Sequence, residues 1–185
     1  MTYISVNELN KNSFQALRER LNLKNAMQAP RLVKVVVSSG FGSVKDDKKK
    51  ALIAERLSRI TGAKPATRVT KKAIATWKTR VGDPVGYQVT LRGKRMTEFL
   101  DRLIHIALPR TKDFRGLSRD SVDAMGNYTL GVKEHTIFAE TADEDLKDVF
   151  GLAITIVTTS TSKESTLAFL EHIGLPLKGA ENVKK

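Results

Sequence analysis

The segment from Lys64 to Arg95 concentrates cationic side chains that could bind a polyanion. It contains nine Lys and Arg residues but one acid, Asp83, and therefore holds +8 of the formal net charge of +12. Ammonium and guanidinium groups neutralise phosphates and release the counterions condensed on a nucleic acid. The pattern therefore predicts a nucleic-acid ligand for the nine cations Lys64, Arg68, Lys71, Lys72, Lys78, Arg80, Arg92, Lys94 and Arg95.

One large aromatic side chain accompanies these charges. Trp77, the only tryptophan of the chain, stands between Thr76 and Lys78. An exposed indole can stack on an unpaired base. A basic run can instead be a solvated face of the fold, and a lone tryptophan is more often a packing residue. The two features in one segment favour RNA over these alternatives.

Other reactive groups are scarce. The chain has no cysteine, and His105, His135 and His172 lack metal-ligand spacing. The cluster at 143–145 is interpreted as a solvated acidic turn, since no histidine accompanies it as a partner in catalysis. The glycines at 40 and 42 predict a turn, because the dinucleotide and P-loop fingerprints are missing. We expect a protein that is not an enzyme and that uses no metal or cofactor.

The length and composition limit the number of domains and the class of protein. With 185 residues and 41% apolar content, the chain can form one hydrophobic core, so a single domain over 1–185 is predicted. No apolar run reaches the roughly 18 residues needed to span a bilayer, and no signal pattern begins the chain. We therefore expect a soluble, intracellular protein without a membrane partner.

Apolar spacing predicts helices separated by hairpin-linked strands. Helices are predicted over 5–21, 43–62 (capped by Ser43 and Asp46), 96–108 and 162–174. Strands are predicted over 32–37 with both faces largely covered, 66–80, 85–92, 128–138 and 152–159. The predicted inward stripes are Ile53, Leu57 and Ile60, then Phe99, Leu100, Leu103, Ile104 and Ala107, and finally Leu167, Leu170 and Ile173.

These elements must position the cationic segment. In the arm 85–92, Tyr87, Val89 and Leu91 share one face and Gln88, Thr90 and Arg92 the other, because side chains alternate along a strand. The predicted fold class is α+β: a mainly antiparallel sheet with helices packed on one face and a protruding basic hairpin. The face of the sheet without helices would be free for a ligand.

Several motifs resemble those of a known family. They are Val89-Thr90-Leu91-Arg92-Gly93, Arg95-Met96, Glu98-Phe99-Leu100, Arg102-Leu103, Pro109-Arg110, Asp113-Phe114-Arg115-Gly116-Leu117 and Gly126-Asn127-Tyr128. In this order and spacing they are similar to the bacterial-type large-subunit ribosomal protein number five family, which binds 5S rRNA. The resemblance covers about 27–176, nearly the whole chain.

The resemblance implies a structural constituent of the large ribosomal subunit in the cytoplasm. It implies binding to 5S rRNA in the central protuberance, contact with P-site tRNA through the basic hairpin, and a bridge to the small-subunit head. Large-subunit rRNA, a small-subunit head protein and other central-protuberance ribosomal proteins are the further partners implied. The segment 110–119 and the acidic stretch after Phe138 would face the small subunit.

The resemblance also implies a role for individual residues. The residues implied for rRNA binding are Lys34, Ser38, Lys64, Arg68, Thr90, Arg92, Lys94 and Arg95. Those implied for tRNA binding are Lys71, Lys72, Trp77, Lys78 and Arg80, and those implied for small-subunit contact are Arg110, Lys112 and Arg115.

The chain departs from the family pattern at four positions. Ser38 stands where Asn is common, Ala63 where Gln is common, and Arg68 where a small hydroxyl residue is common, while Asp83 is an acid in a tip usually without one. A free RNA chaperone or regulatory RNA-binding protein is the alternative function, which a competition titration with unrelated RNA separates. An RNA-processing enzyme would need a positioned base, nucleophile or metal.

Overall fold

Five strands form one antiparallel sheet in the computed structural model, which describes residues 4–42, 44, 46–112, 114–141 and 149–179. The strands are β1 (Leu32–Gly40), β2 (Ala66–Val69), β3 (Pro84–Leu91), β4 (Tyr128–Val132) and β5 (Leu152–Thr158), in the spatial order β2-β3-β1-β5-β4. The helices are α1 (Val6–Lys11), α2 (Ser13–Leu17), α3 (Asp47–Thr61), α4 (Gly93–Arg102) and α5 (Lys163–His172). The predicted α+β class with a mainly antiparallel sheet is confirmed.

Burial alternates along the strands as the period of two requires. In β5 the buried Leu152, Ile154 and Ile156 are separated by half-buried residues. The prediction that both faces of β1 are largely covered is wrong for one face, because Lys34, Val36 and Ser38 are only half-buried. The other face buries Val35 and Val37. The β-branched run of β1 therefore reflects strand propensity and one buried face, not burial on both sides.

Helix α3 forms where its sequence signals place it. The carboxylate of Asp46 accepts a hydrogen bond from the Lys48 N–H at 2.9 Å, which satisfies one free donor of the first turn. The helix ends at Gly62, which adopts a left-handed φ of 66°. All three residues of the predicted stripe are buried, and α3 contacts β3. Ser43, the second predicted cap, lies outside the described residues.

The N-terminal helix is interrupted where one continuous helix was predicted. Ser5 caps α1 by accepting from the Glu8 N–H at 3.4 Å, as its spacing indicates. The helix then breaks at Asn12, whose ψ of 4° is not helical, and α2 begins at the next residue. Asparagine lowers helix stability because its side chain competes for backbone hydrogen bonds.

The helix 96–108 and the strand 128–138 also differ from prediction. Helix α4 begins earlier, at Gly93, and continues as a π-helical segment, Leu103–Ala107, whose predicted stripe is buried. Strand β4 ends at Val132, and His135–Ile137 forms a 3-10 turn. The turn is closed by the Phe138 N–H, which donates to the His135 carbonyl at 3.1 Å, and the buried His135 donates its own backbone N–H to the Phe150 carbonyl at 3.1 Å.

The last strand and helix closely follow the prediction. Strand β5 ends one residue before the predicted limit, and Ser162 caps α5 by accepting from the Ser165 N–H at 3.3 Å. Leu170 and Ile173 are buried, but Leu167 is half-buried, so the inward stripe is narrower than predicted. Gly174 follows the helix with a φ of 85°.

The chain divides into two compact units. The first unit comprises Met1–Val35, Arg92–Leu130 and Thr155–Lys185, and its fully buried side chains include Phe99, Leu100 and Phe169. The second unit comprises Val36–Leu91 and Gly131–Ile154, with Phe41, Leu57 and Ile60 fully buried. The single domain over 1–185 stays a prediction. Across the described residues, no helix is both long and apolar enough to cross a membrane.

Candidate nucleic-acid interface

The predicted hairpin is formed by β2 and β3 in the second unit. Its antiparallel register pairs Ala66 with Gln88 and Arg68 with Gly86. The register shifts between Arg68 and Val69, where β3 has one extra residue, the arrangement of a β-bulge. The first arm is a strand only over 66–69, shorter than the predicted 66–80, because the chain turns into a loop at Thr70. That the hairpin protrudes stays a prediction.

One face of the hairpin is polar. The Arg68 Nε donates a hydrogen bond to the Gln88 side-chain oxygen, and Thr90 lies two residues further on the same face of β3. Arg68 and Thr90 are both exposed, whereas Val89 and Leu91 on the opposite face are buried. The predicted division of β3 into a packed face and a polar face is confirmed. The polar face presents guanidinium, amide and hydroxyl groups that can bind phosphate and ribose oxygens.

The connection between β2 and β3, residues 70–83, is called here the basic loop. All of its predicted ligand residues are exposed, and Trp77 is 73% exposed, which excludes a packing role. Trp77 ends a 3-10 turn that begins at Ala75, and Lys78 follows with a left-handed φ of 51°. The five exposed residues brought together on this loop are Lys71, Lys72, Trp77, Lys78 and Arg80.

The electrostatics of the basic loop favour an external anion. Within the described part of the chain, no carboxylate lies within 4.0 Å of the charged atoms of its four cations. The one acid of the loop, Asp83, accepts a hydrogen bond from the Arg80 backbone N–H at 2.8 Å instead. The loop therefore presents solvated cations that an RNA backbone could neutralise.

The remaining predicted rRNA ligands lie at several places in the fold. In the second unit Ser38 is half-buried on β1 and Lys64 is exposed after α3. In the first unit Lys34 is half-buried on β1, and Arg92, Lys94 and Arg95 are exposed at the start of α4. Lys94 lies 3.6 Å from Glu98 in an exposed ion pair. Cations at a helix N-terminus oppose the helix dipole, so their placement brings α4 no stability.

The predicted small-subunit ligands belong to the first unit. Arg110, Lys112 and Arg115 are all exposed in the segment that follows the π-helical turn. Asp113 of the family motif and residues 142–148 of the acidic stretch lie outside the described residues. Ala63, one of the departures from the family pattern, is half-buried beside Lys64.

The sequence did not predict two buried or partly buried clusters of charged side chains. In the second unit the Arg56 Nη1 lies 3.0 Å from the Nε2 of the fully buried His135, whose ring stacks on Phe150 at 4.2 Å. Arg56 lies on the same helix face as Ile53 and Ile60, and a cation on an apolar stripe is the signal that could have identified it.

The second cluster lies in the first unit. The Glu171 carboxylate pairs with the Arg20 guanidinium at 2.8 Å and with that of Arg119 at 2.5 Å. Burial raises the pKa of Glu171, but the hydrogen bonds and charges of the two arginines lower it by more, so the pKa lies below its ordinary value. His172 bonds the Leu9 carbonyl at 2.9 Å. Where side chains are described, His, Asp and Glu form no group of three placed to bind a metal.

Comparison with known proteins identifies relatives of this chain. The model of the ribosomal protein L5 family matches residues 25–80, and a second model, of the C-terminus of that family, matches residues 84–177. A curated relative from Rubrobacter xylanophilus, named large ribosomal subunit protein uL5, is 50% identical over 88% of this chain and 91% of its own length. Relatives of the same name from Natranaerobius thermophilus and Streptomyces griseus are 45% and 47% identical, each over 88% of this chain and over 92% and 88% of their own lengths.

These similarities confirm the predicted family and extend over most of the chain. They also confirm the predicted place in the cytoplasmic ribosome and the absence of enzymatic activity, since the family is structural. The chain therefore belongs to the ribosomal protein L5 family and is a structural protein of the large ribosomal subunit.

Proposed function

We propose that the chain binds 5S rRNA in the central protuberance of the large subunit, contacts P-site tRNA through the basic loop and forms a bridge to the small-subunit head. The observation that carries this proposal is the exposure of all nine cations between Lys64 and Arg95, together with that of Trp77. Among the described residues, only Lys94 of the nine has a carboxylate, that of Glu98, within ion-pair distance, so the fold does not use most of these cations for internal pairing. Their exposure supports a role in binding phosphates outside the chain.

Binding of 5S rRNA is assigned to the sheet side of the hairpin and to the start of α4. In the second unit, Arg68 and Thr90 offer a guanidinium and a hydroxyl from one rigid face. Paired strands support such recognition because little backbone freedom is lost on binding. The proposed ligands are Lys34, Ser38, Lys64, Arg68, Thr90, Arg92, Lys94 and Arg95.

Contact with tRNA is assigned to the basic loop. Its cations can follow the tRNA backbone, and the exposed indole of Trp77 can stack on a base or ribose. The bridge to the small subunit is assigned to Arg110, Lys112 and Arg115 in the first unit. Large-subunit rRNA, a small-subunit head protein and other central-protuberance proteins are the further partners proposed.

A competition titration tests the 5S assignment. The full-length chain is bound to labelled 5S rRNA, and unlabelled 5S rRNA, tRNA and an unrelated RNA of equal length compete for it at several salt concentrations. We expect 5S rRNA to compete at least tenfold better than the unrelated RNA. We also expect affinity to fall by roughly three decades between about 50 and 200 mM salt, as for several phosphate contacts. Equal competition by all three RNAs would contradict the proposal and favour a free RNA chaperone.

A further inference from the structure

The neck of the basic loop is closed by backbone hydrogen bonds beyond the end of β2. The Gly82 N–H donates to the Thr70 carbonyl at 3.0 Å, and the Thr70 N–H donates to the Asp83 carbonyl at 2.9 Å. The Thr70 hydroxyl also donates to the Asp83 carbonyl at 3.3 Å. Asp83 is therefore one side of the neck from which the loop emerges.

The side chain of Asp83 ties this neck to the cationic part of the loop. Its Oδ2 accepts the Arg80 N–H at 2.8 Å, and its own N–H donates to the Arg80 carbonyl at 3.2 Å. The turn 80–83 passes through Gly82, whose φ of 93° favours glycine. Asp83 thus holds both Thr70 and Arg80, and its carboxylate is occupied by a backbone donor.

Packing contributes little to the shape of this loop. Ile74, Trp77 and Val81 are exposed, so no large apolar side chain of the loop joins the core. A second pair of hydrogen bonds, between the backbones of Ile74 and Thr79 at 3.3 Å each, closes the distal turn. Hydrogen bonds at the neck and at the turn are therefore what order the loop, and the Asp83 carboxylate supplies a side-chain bond at the neck.

We propose that Asp83 is a positioning residue for RNA contact: its carboxylate keeps the basic loop ordered before binding, so that Arg80 and the turn carrying Trp77 meet the RNA without a large loss of conformational freedom. An acid among cations would otherwise only weaken attraction to phosphate. A carboxylate bound to a backbone N–H adds order to the free protein instead. The inference rests on the proposed function of the basic loop.

Two variants distinguish the ordering effect of the Asp83 hydrogen bond from the effect of its negative charge. Asp83→Asn removes the negative charge but keeps an oxygen that can accept the Arg80 N–H, whereas Asp83→Ala removes both. Asp120→Ala is the matched control, because it removes an exposed acid outside the loop with the same change in net charge. If Asp83 acted through its charge alone, both Asp83 variants would bind RNA more tightly.

The first measurement needs no RNA. Trp77 is the only tryptophan, so the fast component of the time-resolved fluorescence anisotropy of the full-length chain reports local motion in the basic loop, separately from overall tumbling. We expect Asp83→Ala to increase the amplitude of the fast indole motion, and Asp83→Asn and Asp120→Ala to leave it near the wild-type value. Unchanged motion in Asp83→Ala would overturn the inference.

The second measurement is affinity for a purified tRNA at fixed salt. We expect Asp83→Ala to bind about fivefold more weakly than Asp83→Asn, which corresponds to about 1 kcal/mol, the net contribution of one hydrogen bond. Equal or tighter binding by Asp83→Ala would overturn the positioning role. The variant Lys71→Glu/Lys72→Glu separates the positioning role of Asp83 from the tRNA contact of the basic loop. If this variant and Asp83→Ala both bind tRNA as the wild type does, both proposals fail. If only the lysine variant loses affinity, the tRNA contact stands and the positioning role fails.

Discussion

The cations of the basic loop and those around Glu171 differ in whether a carboxylate of the fold pairs with them. Arg20 and Arg119 share one partly buried carboxylate, which holds the turn after α2, a 3-10 turn and α5 in the first unit. Lys71, Lys72 and Arg80 in the second unit have no carboxylate within ion-pair distance among the described residues. The protein thus uses one set of cations within its fold and leaves the other set solvated.

This difference explains how one basic chain serves both stability and binding. An exposed cation without a partner costs the fold little and remains available to an external polyanion. The Glu171 carboxylate offsets part of the charge of Arg20 and Arg119 and holds both guanidinium groups, so they offer less to RNA. Net charge alone does not distinguish the cations of the basic loop from those paired with Glu171, so variants of each set are needed to show that one binds RNA and the other stabilises the fold.

The largest expected effect comes from reversing the charge of the basic loop. Changing Lys71, Lys72 and Arg80 to Glu should lower affinity for tRNA about 100-fold or more, because several phosphate contacts become repulsive. Affinity for 5S rRNA should fall less than about threefold. The free energy of unfolding should change by less than about 0.5 kcal/mol, since these side chains are exposed. Filter binding at fixed salt and urea denaturation measure the three quantities.

A charge-matched control identifies the effect of net charge. Lys24, Lys48 and Lys133 are exposed cations outside the predicted sites, and changing them to Glu alters the net charge by the same amount. We expect this variant to bind tRNA much more tightly than the loop variant. Equal losses in both variants would show that the loop has no role of its own. An equal loss of affinity for 5S rRNA and tRNA in the loop variant would contradict the assignment of the loop to tRNA.

The next effect compares one substitution at two places in the same hairpin. Val89 on β3 is 3% exposed and Val81 in the basic loop is 68% exposed. Val89→Ala should lower the free energy of unfolding by about 2 kcal/mol, because it removes buried methyl groups and leaves a cavity. Val81→Ala should change it by less than about 0.5 kcal/mol. Similar urea midpoints for the two variants would contradict the view that the loop lies outside the core.

A smaller effect is expected at the sheet side of the hairpin. Thr90→Val with Arg92→Ala removes an exposed hydroxyl and an exposed guanidinium, and neither side chain caps α4. Affinity for 5S rRNA should fall about tenfold, or about 1.4 kcal/mol, while affinity for tRNA stays within about twofold. A larger loss for tRNA than for 5S rRNA would exclude the proposed division between strand and loop.

The smallest effect concerns the paired cations. The folded-state pKa of Glu171 is lowered, so its ionised form stabilises the fold above the ordinary carboxyl pKa, and this contribution is lost as the pH falls through the folded value. Glu171→Gln should therefore lower the free energy of unfolding at about pH 7 by about 1 kcal/mol or less, given the partial exposure of the pair. The difference from the wild type should shrink from about pH 5 downward.

Urea denaturation at a series of pH values measures this difference, with Glu164→Gln as the control for an exposed glutamate on the same helix. Both variants should bind tRNA and 5S rRNA as the wild type does. A pH-independent effect of Glu171→Gln would contradict the ion-pair explanation, and a loss of RNA affinity would contradict the distinction between the two sets of cations.

Local patterns predicted most of the secondary structure because the relevant interactions are short in sequence. The alternation of β5, the Asp46 cap of α3 and the Ser162 cap of α5 each depend on residues within a few positions. The cationic segment and its hairpin could be predicted for the same reason. The 3-10 turn at His135–Ile137 was missed, and the buried His135 ring in it stacks on Phe150, a contact across 15 positions that local spacing does not show.

The sequence by itself determined the α+β class, the family and the position of the candidate interface along the chain. Only the tertiary structure decided which charged side chains have partners within the fold, since Arg20 meets Glu171 across 151 positions and Arg56 meets His135 across 79. It also decided that Trp77 is exposed and that Asp83 binds a backbone N–H. Such contacts depend on how separate segments pack, and short-range spacing carries no information about that packing.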